Sequence, residues 1–309
     1  MFFTEEEMRR IRYLHFNIKK LEEAIIKDEE TFSLDDLNYV LEYTKILNIN
    51  YENQDQKRIM RDLDITQSFH DPEESIDIEI YDIMFECART LWVLARAYSV
   101  LSENYEKDEE YDDAVLAMVE SSKMYKTAAY FSAASTLQKE RGYVLNTENL
   151  ELSSEETRIL AQSIAATREE SSNNIYFASK LYAGLSALSK RLFYLRKHDE
   201  KKKQQIRAHF HYDMGNSCYL KAKASIESSI TPINEQKVKK LKQKAKFYLR
   251  KAQKIWISML EDLKALTNEE RESINDNLTV VERDLKEIDD VKELSYEENL
   301  FDSICTERS

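Results

Sequence analysis

Met84-Phe85-Glu86-Cys87-Ala88-Arg89-Thr90-Leu91-Trp92-Val93-Leu94-Ala95-Arg96-Ala97-Tyr98-Ser99 is the stretch that decides the fold. Met84, Phe85, Ala88, Leu91, Trp92, Ala95, Tyr98 and Ser99 recur every three or four residues, which puts them on one side of an α-helix. The residues just upstream keep a different period. Leu63, Ile65, Gln67 and Phe69 alternate, and beyond His70-Asp71-Pro72-Glu73 the residues Ile76, Ile78 and Ile80 alternate with Ser75, Asp77 and Glu79. Period two on both sides of an Asp-Pro turn predicts one small β-hairpin near residues 63–80. The rest of the chain has almost no means of turning sharply. Its 309 residues hold three glycines (Gly142, Gly184, Gly215) and two prolines (Pro72, Pro232), where ordinary usage would give roughly twenty and fifteen. Long helices joined by short polar turns are the consequence.

Working outward, helical periodicity predicts segments over 4–27, from 33 through Leu47, 55–61, 81–104, 111–140, 153–197 (kinked near 171–174), 200–228, 235–266 and 267–288. Ser/Thr residues with an acidic partner three positions on open several of them: Thr4 with Glu7, Ser153 with Glu156, Thr267 with Glu270. Small residues beside aromatics, as in Ala114, Ala117, Ser121, Ala128 and Ala129, let helices approach closely in the manner of stacked helical pairs. No strict 34-residue period is present. The expected fold class is therefore mainly α: an irregular, TPR-like helical-pair solenoid of about nine helices with one hairpin. No linker composition interrupts it, so residues 1–288 are expected to form a single domain and 289–309 a flexible acidic tail.

Charge is unevenly placed. The net charge is −13, yet residues 188–255 carry 19 Lys and Arg against 5 Asp and Glu. A basic face for an anionic membrane surface or an acidic partner is expected, formed by Lys190, Arg191, Lys197, Lys201, Lys202, Lys203, Lys237, Lys240 and Lys244. Nucleic acid is not an expected partner, because the whole chain is acidic and no groove-reading motif occurs. Cys87, Cys218 and Cys305 form no CxxC or disulfide framework, which suits a reducing, cytoplasmic setting. Neither an apolar leader nor a membrane span is expected, since the longest apolar run, 91–101, is interrupted by Arg96.

Catalytic chemistry finds no foothold. Phosphate and dinucleotide loops need closely spaced glycines, and the three here are isolated. His209, His211 and Asp213 are the only close metal-type group. On a helix the two imidazoles lie about 200° apart, and the i, i+4 pair His209/Asp213 is not a complete site. No enzyme activity, cofactor, metal or small-molecule substrate is expected.

The ordered series of motifs resembles the Bro-one domain family, found in Alix-type adaptors of the ESCRT machinery. Phe85-Glu86-Cys87-Ala88, Leu91-Trp92 and Tyr98-Ser99 are similar to the family's "FEKAxxLFNxxALYSQ" helix. Phe69-His70-Asp71 resembles its preceding strand, and Tyr39 with Tyr43 its "YYxxL" segment. Ala128-Ala129-Tyr130-Phe131 resembles "AAGxF", and Leu152-Ser153-Ser154-Glu155, Leu160-Ala161-Gln162 and Arg168-Glu169 resemble "LSPE…LMLAQAQE". Residues 212–221 and 246–255 match the two long helices that follow. The resemblance covers most of residues 4–266. It implies a boomerang-shaped domain and a non-enzymatic adaptor that binds the amphipathic C-terminal helix of an ESCRT-III-like subunit in endosomal trafficking or membrane remodelling. It also implies a cytoplasmic location, peripheral on endosomal or plasma membrane. With Glu169 as anchor, the implied groove falls on Leu188, and Leu181, Leu185 and Leu192 extend its stripe. A family aromatic falls on Ser171 and an apolar position on Gly184, where this chain departs from the pattern. The alternative reading is a general helical-repeat scaffold that binds some other peptide, unrelated to ESCRT.

Overall fold

The computed structural model describes residues 4–26, 34–49, 67–71, 76–80, 82–135, 144–197, 199–227, 234–262 and 266–291. Among them are nine helices: α1 (Glu5–Ile26), α2 (Leu34–Ile49), α3 (Ile83–Lys107), α4 (Tyr111–Ala134), α5 (Thr147–Ser171), α6 (Ile175–Leu195), α7 (Glu200–Glu227), α8 (Glu235–Asp262) and α9 (Asn268–Glu287). Between α2 and α3, β1 (Gln67–Asp71) pairs antiparallel with β2 (Ile76–Ile80), Phe69 lying opposite Ile78. The helical piece expected over 55–61 falls outside the described residues, as do Leu63, Ile65 and both prolines. The chain is mainly α. It divides into two compact units, Met1–Arg168 and Glu169–Ser309, a subdivision that the expectation of one body over 1–288 does not contain.

Unit 1 is organised around α3, with α1, α2 and α4 packed on it. The α1 residues Ile11, Leu14, Ile18, Leu21 and Ile25 are all buried, as their spacing predicts. α3 departs from its one-sided expectation. Val93, Leu94 and Ala97 are also buried, together with the polar Glu86, Arg89 and Thr90. Neighbours on several sides enclose it, so its amphipathic pattern understates its burial.

Two of those polar residues belong to a network that periodicity gave no hint of. The Arg89 guanidinium donates through Nε to Glu86 Oε2 (2.9 Å), through Nη2 to Glu86 Oε1 (2.8 Å) and through Nη1 to Glu22 Oε2 (2.6 Å). Tyr43 donates its hydroxyl to Glu86 Oε1 at 3.0 Å, and His15 Nδ1 lies 2.9 Å from the same hydroxyl. The bidentate fork is the arrangement that planar guanidinium geometry favours. Together these contacts tie α1, α2 and α3 around one buried guanidinium and two buried carboxylates.

Unit 2 is a run of consecutive helices, α6 on α7, α7 on α8 and α8 on α9. Along α8 the apolar residues at 3–4 spacing face inward: Val238, Ala245, Tyr248, Ala252 and Met259 are buried, while Leu241 and Ile255 are half-buried. α7 and α8 approach closely where Gly215 meets Leu249, with Ala208, Ala245 and Ala252 also in that core.

Three boundaries differ from their expectation, each for a local reason. α5 begins at Thr147, not at Ser153. Asn146 caps it: its side chain accepts from the Glu148 N–H (2.8 Å) and its carbonyl from the Leu150 N–H (2.9 Å). Ser154 lies inside the helix and donates its hydroxyl to the Ser122 carbonyl at 2.9 Å. The long segment expected over 153–197 is two helices. Asn173 takes φ 60°, Asn174 N–H bonds the Glu169 carbonyl (2.8 Å) and Asn173 N–H that of Glu170 (3.0 Å). This is a Schellman stop with asparagine in the left-handed position. Glu109 (φ 62°) ends α3 in the same way. Third, the acidic tail is docked at its start. Ile288 is fully buried and Val291 is 8% exposed. Lys246 Nζ donates to Asp289 Oδ1 (2.8 Å) and the Val291 carbonyl (2.9 Å), and Lys242 Nζ to Asp290 Oδ2 (2.9 Å).

A chain this poor in glycine has ended two helices with residues that pay a left-handed penalty. Asn tolerates that region and Glu tolerates it poorly, by roughly 1–2 kcal/mol relative to Gly. Glu109→Gly is therefore expected to raise stability by about 1 kcal/mol, and Asn173→Gly by less. Urea titration followed by circular dichroism checks both. A destabilised Glu109→Gly would show that the turn carries no such strain.

Candidate functional site

The leucine stripe divides by burial. Leu185 and Leu192 are 2% and 4% exposed and belong to the interior of unit 2, whereas Leu181 and Leu188 are half-buried at its edge. As a groove of four leucines the expectation is corrected. Ala178, Tyr182, Leu185 and Leu192 form the inward side of α6, and an adjoining row of Ser179, Ser186 and Ser189 is buried with them. The Tyr182 hydroxyl donates to Glu170 Oε2 (3.0 Å) and Asn174 Nδ2 to Glu169 Oε2 (2.6 Å), which fixes the entry of the helix.

What α6 leaves outside is more apolar than a solvated helix face needs to be. Tyr176 (57% exposed) and Phe177 (46%) stand at its start, Tyr194 (50%) and Leu195 (38%) at its end. Between them lie Gly184, Ala187 and Leu188, with Lys180 and Arg191 exposed on the same side. Lys180 Nζ sits 4.4 Å from the Tyr176 ring centroid. At 1.5 Å per residue the two aromatic ends are about 27 Å apart. Bulky ends and a low, small-residue centre make a saddle on which a second helix can lie close. Gly184 falls where the resembled family has an apolar side chain, and it contributes to the low centre.

The expected basic face also divides. Lys201 is paired with Glu270 (2.7 Å) and Lys203 with Glu200 (2.9 Å), Lys203 lying over the Phe193 ring as well. Lys190 is half-buried, and Arg191, Lys197 and Lys202 are exposed, as are Lys237, Lys240 and Lys244 on α8. Lys242 and Lys246, absent from the expected face, hold the Asp289–Val291 segment. The Asp289-Asp290 pair near a lysine-rich helix was the only sequence signal for that contact.

His209, His211 and Asp213 lie in the α7–α8 packing. Burial pushes the His209 imidazole down to about 4 and the His211 imidazole down to about 3, and raises the Asp213 carboxyl well above its ordinary range. His209 packs edge-on against Trp256 and His211 stacks on Tyr248. Rings held neutral against aromatics act as core. No group of three potential metal ligands occurs among the described residues. Among those residues no helix is long and apolar enough to cross a membrane.

No family model matches the sequence, and no curated protein matches it. Solved structures do match the fold. A structure describing the basis for endosomal targeting by the Bro1 domain aligns with TM-score 0.58 and 16% identity, over 93% of this chain and 80% of that one. ALIX in complex with the SIVmac239 PYKEVTEDL late domain aligns with TM-score 0.57 and 14% identity, over 91% of this chain and 41% of that one. The ALIX BRO1 CHMP4C complex aligns with TM-score 0.54 and 14% identity, over 92% of this chain and 80% of that one. Agreement over nine-tenths of the chain at such low identity is agreement of backbone, and on that ground this chain has the Bro1-domain fold.

Proposed function

We propose that the chain is a non-enzymatic adaptor that docks the amphipathic helix of an ESCRT-III-like subunit on the outer face of α6. The observation that carries this reading is the saddle itself: Tyr176, Phe177, Tyr194 and Leu195 exposed around Gly184, Ala187 and Leu188. An apolar stripe about five turns long, with a cation near each end, is the complement of a helix with apolar and acidic sides. The fold adds support, since one protein that shares it stands in complex with CHMP4C. Burial of two or three such side chains supplies about 1.5–3 kcal/mol each before ordering costs. Recruitment of such a subunit would place the protein at endosomal or plasma membranes and in membrane remodelling.

The test is fluorescence anisotropy with a labelled C-terminal helix peptide of CHMP4C. Wild type is expected to bind saturably. Phe177→Asp and Ala187→Arg, both on the solvent side, are expected to weaken binding about tenfold or more, while Leu116→Asp, exposed in unit 1, leaves it unchanged. Leu185→Asp is unsuitable because that residue is core. Absence of wild-type binding, or equal binding by both α6 variants, would sink the reading and favour a helical-repeat scaffold for another peptide.

A further inference from the structure

A second surface of unit 2 offers chemistry that the α6 saddle lacks. α8 presents Lys237, Lys240 and Lys244 to solvent, and none of these three ammonium groups has an ion-pair partner among the described residues. They rim a hollow of about 390 Å³, completed by Asn234, Gln236 and the half-buried Leu241. Roughly 180° round the same helix, at about 100° per residue, lie Lys242 and Lys246. That flank displays what two lysines one turn apart can hold. Lys246 grips the Asp289 carboxylate and the Val291 carbonyl, Lys242 grips the Asp290 carboxylate, and the Val291 side chain is buried beside them.

The exposed flank repeats those elements. Lys240 and Lys244 have the same i, i+4 spacing as Lys242 and Lys246, Lys237 adds a third cation one turn away, and Leu241 is the apolar floor. We propose that this hollow is a docking site for an acidic segment of a partner protein, in which two adjacent carboxylates precede an aliphatic residue, seated as Asp289, Asp290 and Val291 are on the opposite side. Charge complementarity selects the carboxylates. The concave, leucine-floored shape selects a peptide over a flat lipid surface, for among the described residues no exposed aromatic side chain lines it to enter a bilayer. The site is independent of the α6 reading and stands or falls separately.

The probe is a labelled peptide of residues 286–298, which contains the Asp-Asp-Val run, titrated by anisotropy into the full chain. Saturable binding that weakens with added salt is expected. The triple variant Lys237→Glu, Lys240→Glu, Lys244→Glu is expected to bind about tenfold or more weakly, charge reversal being felt strongly between close partners. Its thermal melt should match wild type, because the three side chains are exposed. Lys242→Glu, on the other flank, should bind as wild type does. Three results would each overturn the proposal: no binding by wild type, loss of binding in Lys242→Glu but not in the triple variant, or capture by phosphatidylserine vesicles that the triple variant loses while the peptide never binds.

Discussion

Arg89→Met is expected to destabilise unit 1 by about 3–5 kcal/mol, the usual cost of stripping one member from a buried ion pair. Arg89 is fully buried and Glu86 is 1% exposed, so water replaces nothing when the guanidinium goes. Glu86 then loses both forks of its bidentate contact. Glu22 loses its 2.6 Å partner, and its other oxygen already has no hydrogen-bond partner among the described residues. The methionine chain fills most of the vacated volume, which separates lost charge from lost packing. Urea titration of wild type and variant gives the difference. A loss under about 1 kcal/mol, the worth of an exposed pair, would show that the network is solvated.

The same substitution is expected to reverse a pH dependence. Burial alone would raise the Glu86 carboxyl, but Arg89 and His15 outweigh it and hold the group well below its ordinary value of 4.5. A depressed carboxylate stabilises the fold above the unfolded value, and that contribution is lost as pH falls below about 4.5. Burial raises the Glu22 carboxyl, so its smaller contribution has the opposite sign and fades as pH rises past the same value. In Arg89→Met both carboxyls are buried without their cation and favour the protonated form. Acidification from neutrality toward pH 5 is then expected to narrow the stability gap between variant and wild type. A gap that stays constant or widens over that range contradicts the assignment.

Gly215→Ala is the second substitution with a large expected effect, and its sign runs against helix propensity. Alanine in a helix interior is favoured over glycine by about 1 kcal/mol. A Cβ at this position would stand 2.7 Å from Leu249 Cγ, 2.8 Å from its Cδ2 and 3.3 Å from its backbone nitrogen. Leu249 is fully buried among Ala208, Ala245, Ala252 and Trp256, so neither side chain nor backbone has room to withdraw. Forcing a methyl into such a contact costs about 1–3 kcal/mol, and the net change should be destabilising. The check is a double-mutant cycle. Leu249→Ala alone should cost about 2–5 kcal/mol. Adding Gly215→Ala to it should cost nothing further, because the methyl enters the space the leucine left. Additive losses would place the clash elsewhere.

The sequence determined the helices of this protein and their order. Scarcity of glycine and proline with 3–4 periodicity is a local property, readable without knowing which neighbour each helix will meet. Ile11, Leu14, Ile18, Leu21 and Ile25 are buried because they form the continuous aliphatic stripe of α1, while the opposite side carries charges with only Tyr13 and Phe16 among them. The break near 171–174 was legible from Ser171-Ser172-Asn173-Asn174, poor helix formers with an asparagine suited to left-handed geometry. Tertiary structure decided the rest. α6 is apolar nearly all round, so periodicity does not choose between the Leu181–Leu185–Leu188–Leu192 stripe and the Tyr176–Tyr194 side. Packing on α7 takes Leu185 and Leu192 inward and leaves the aromatics outside. Glu86 and Arg89 read locally as an ordinary i, i+3 surface pair, and only enclosure by α1 and α2 makes them a buried charge. Lys242 and Lys244 are indistinguishable in sequence, yet one holds Asp290 and the other faces solvent. Which side of a helix meets a neighbour depends on residues far away in the chain, and no local pattern records them.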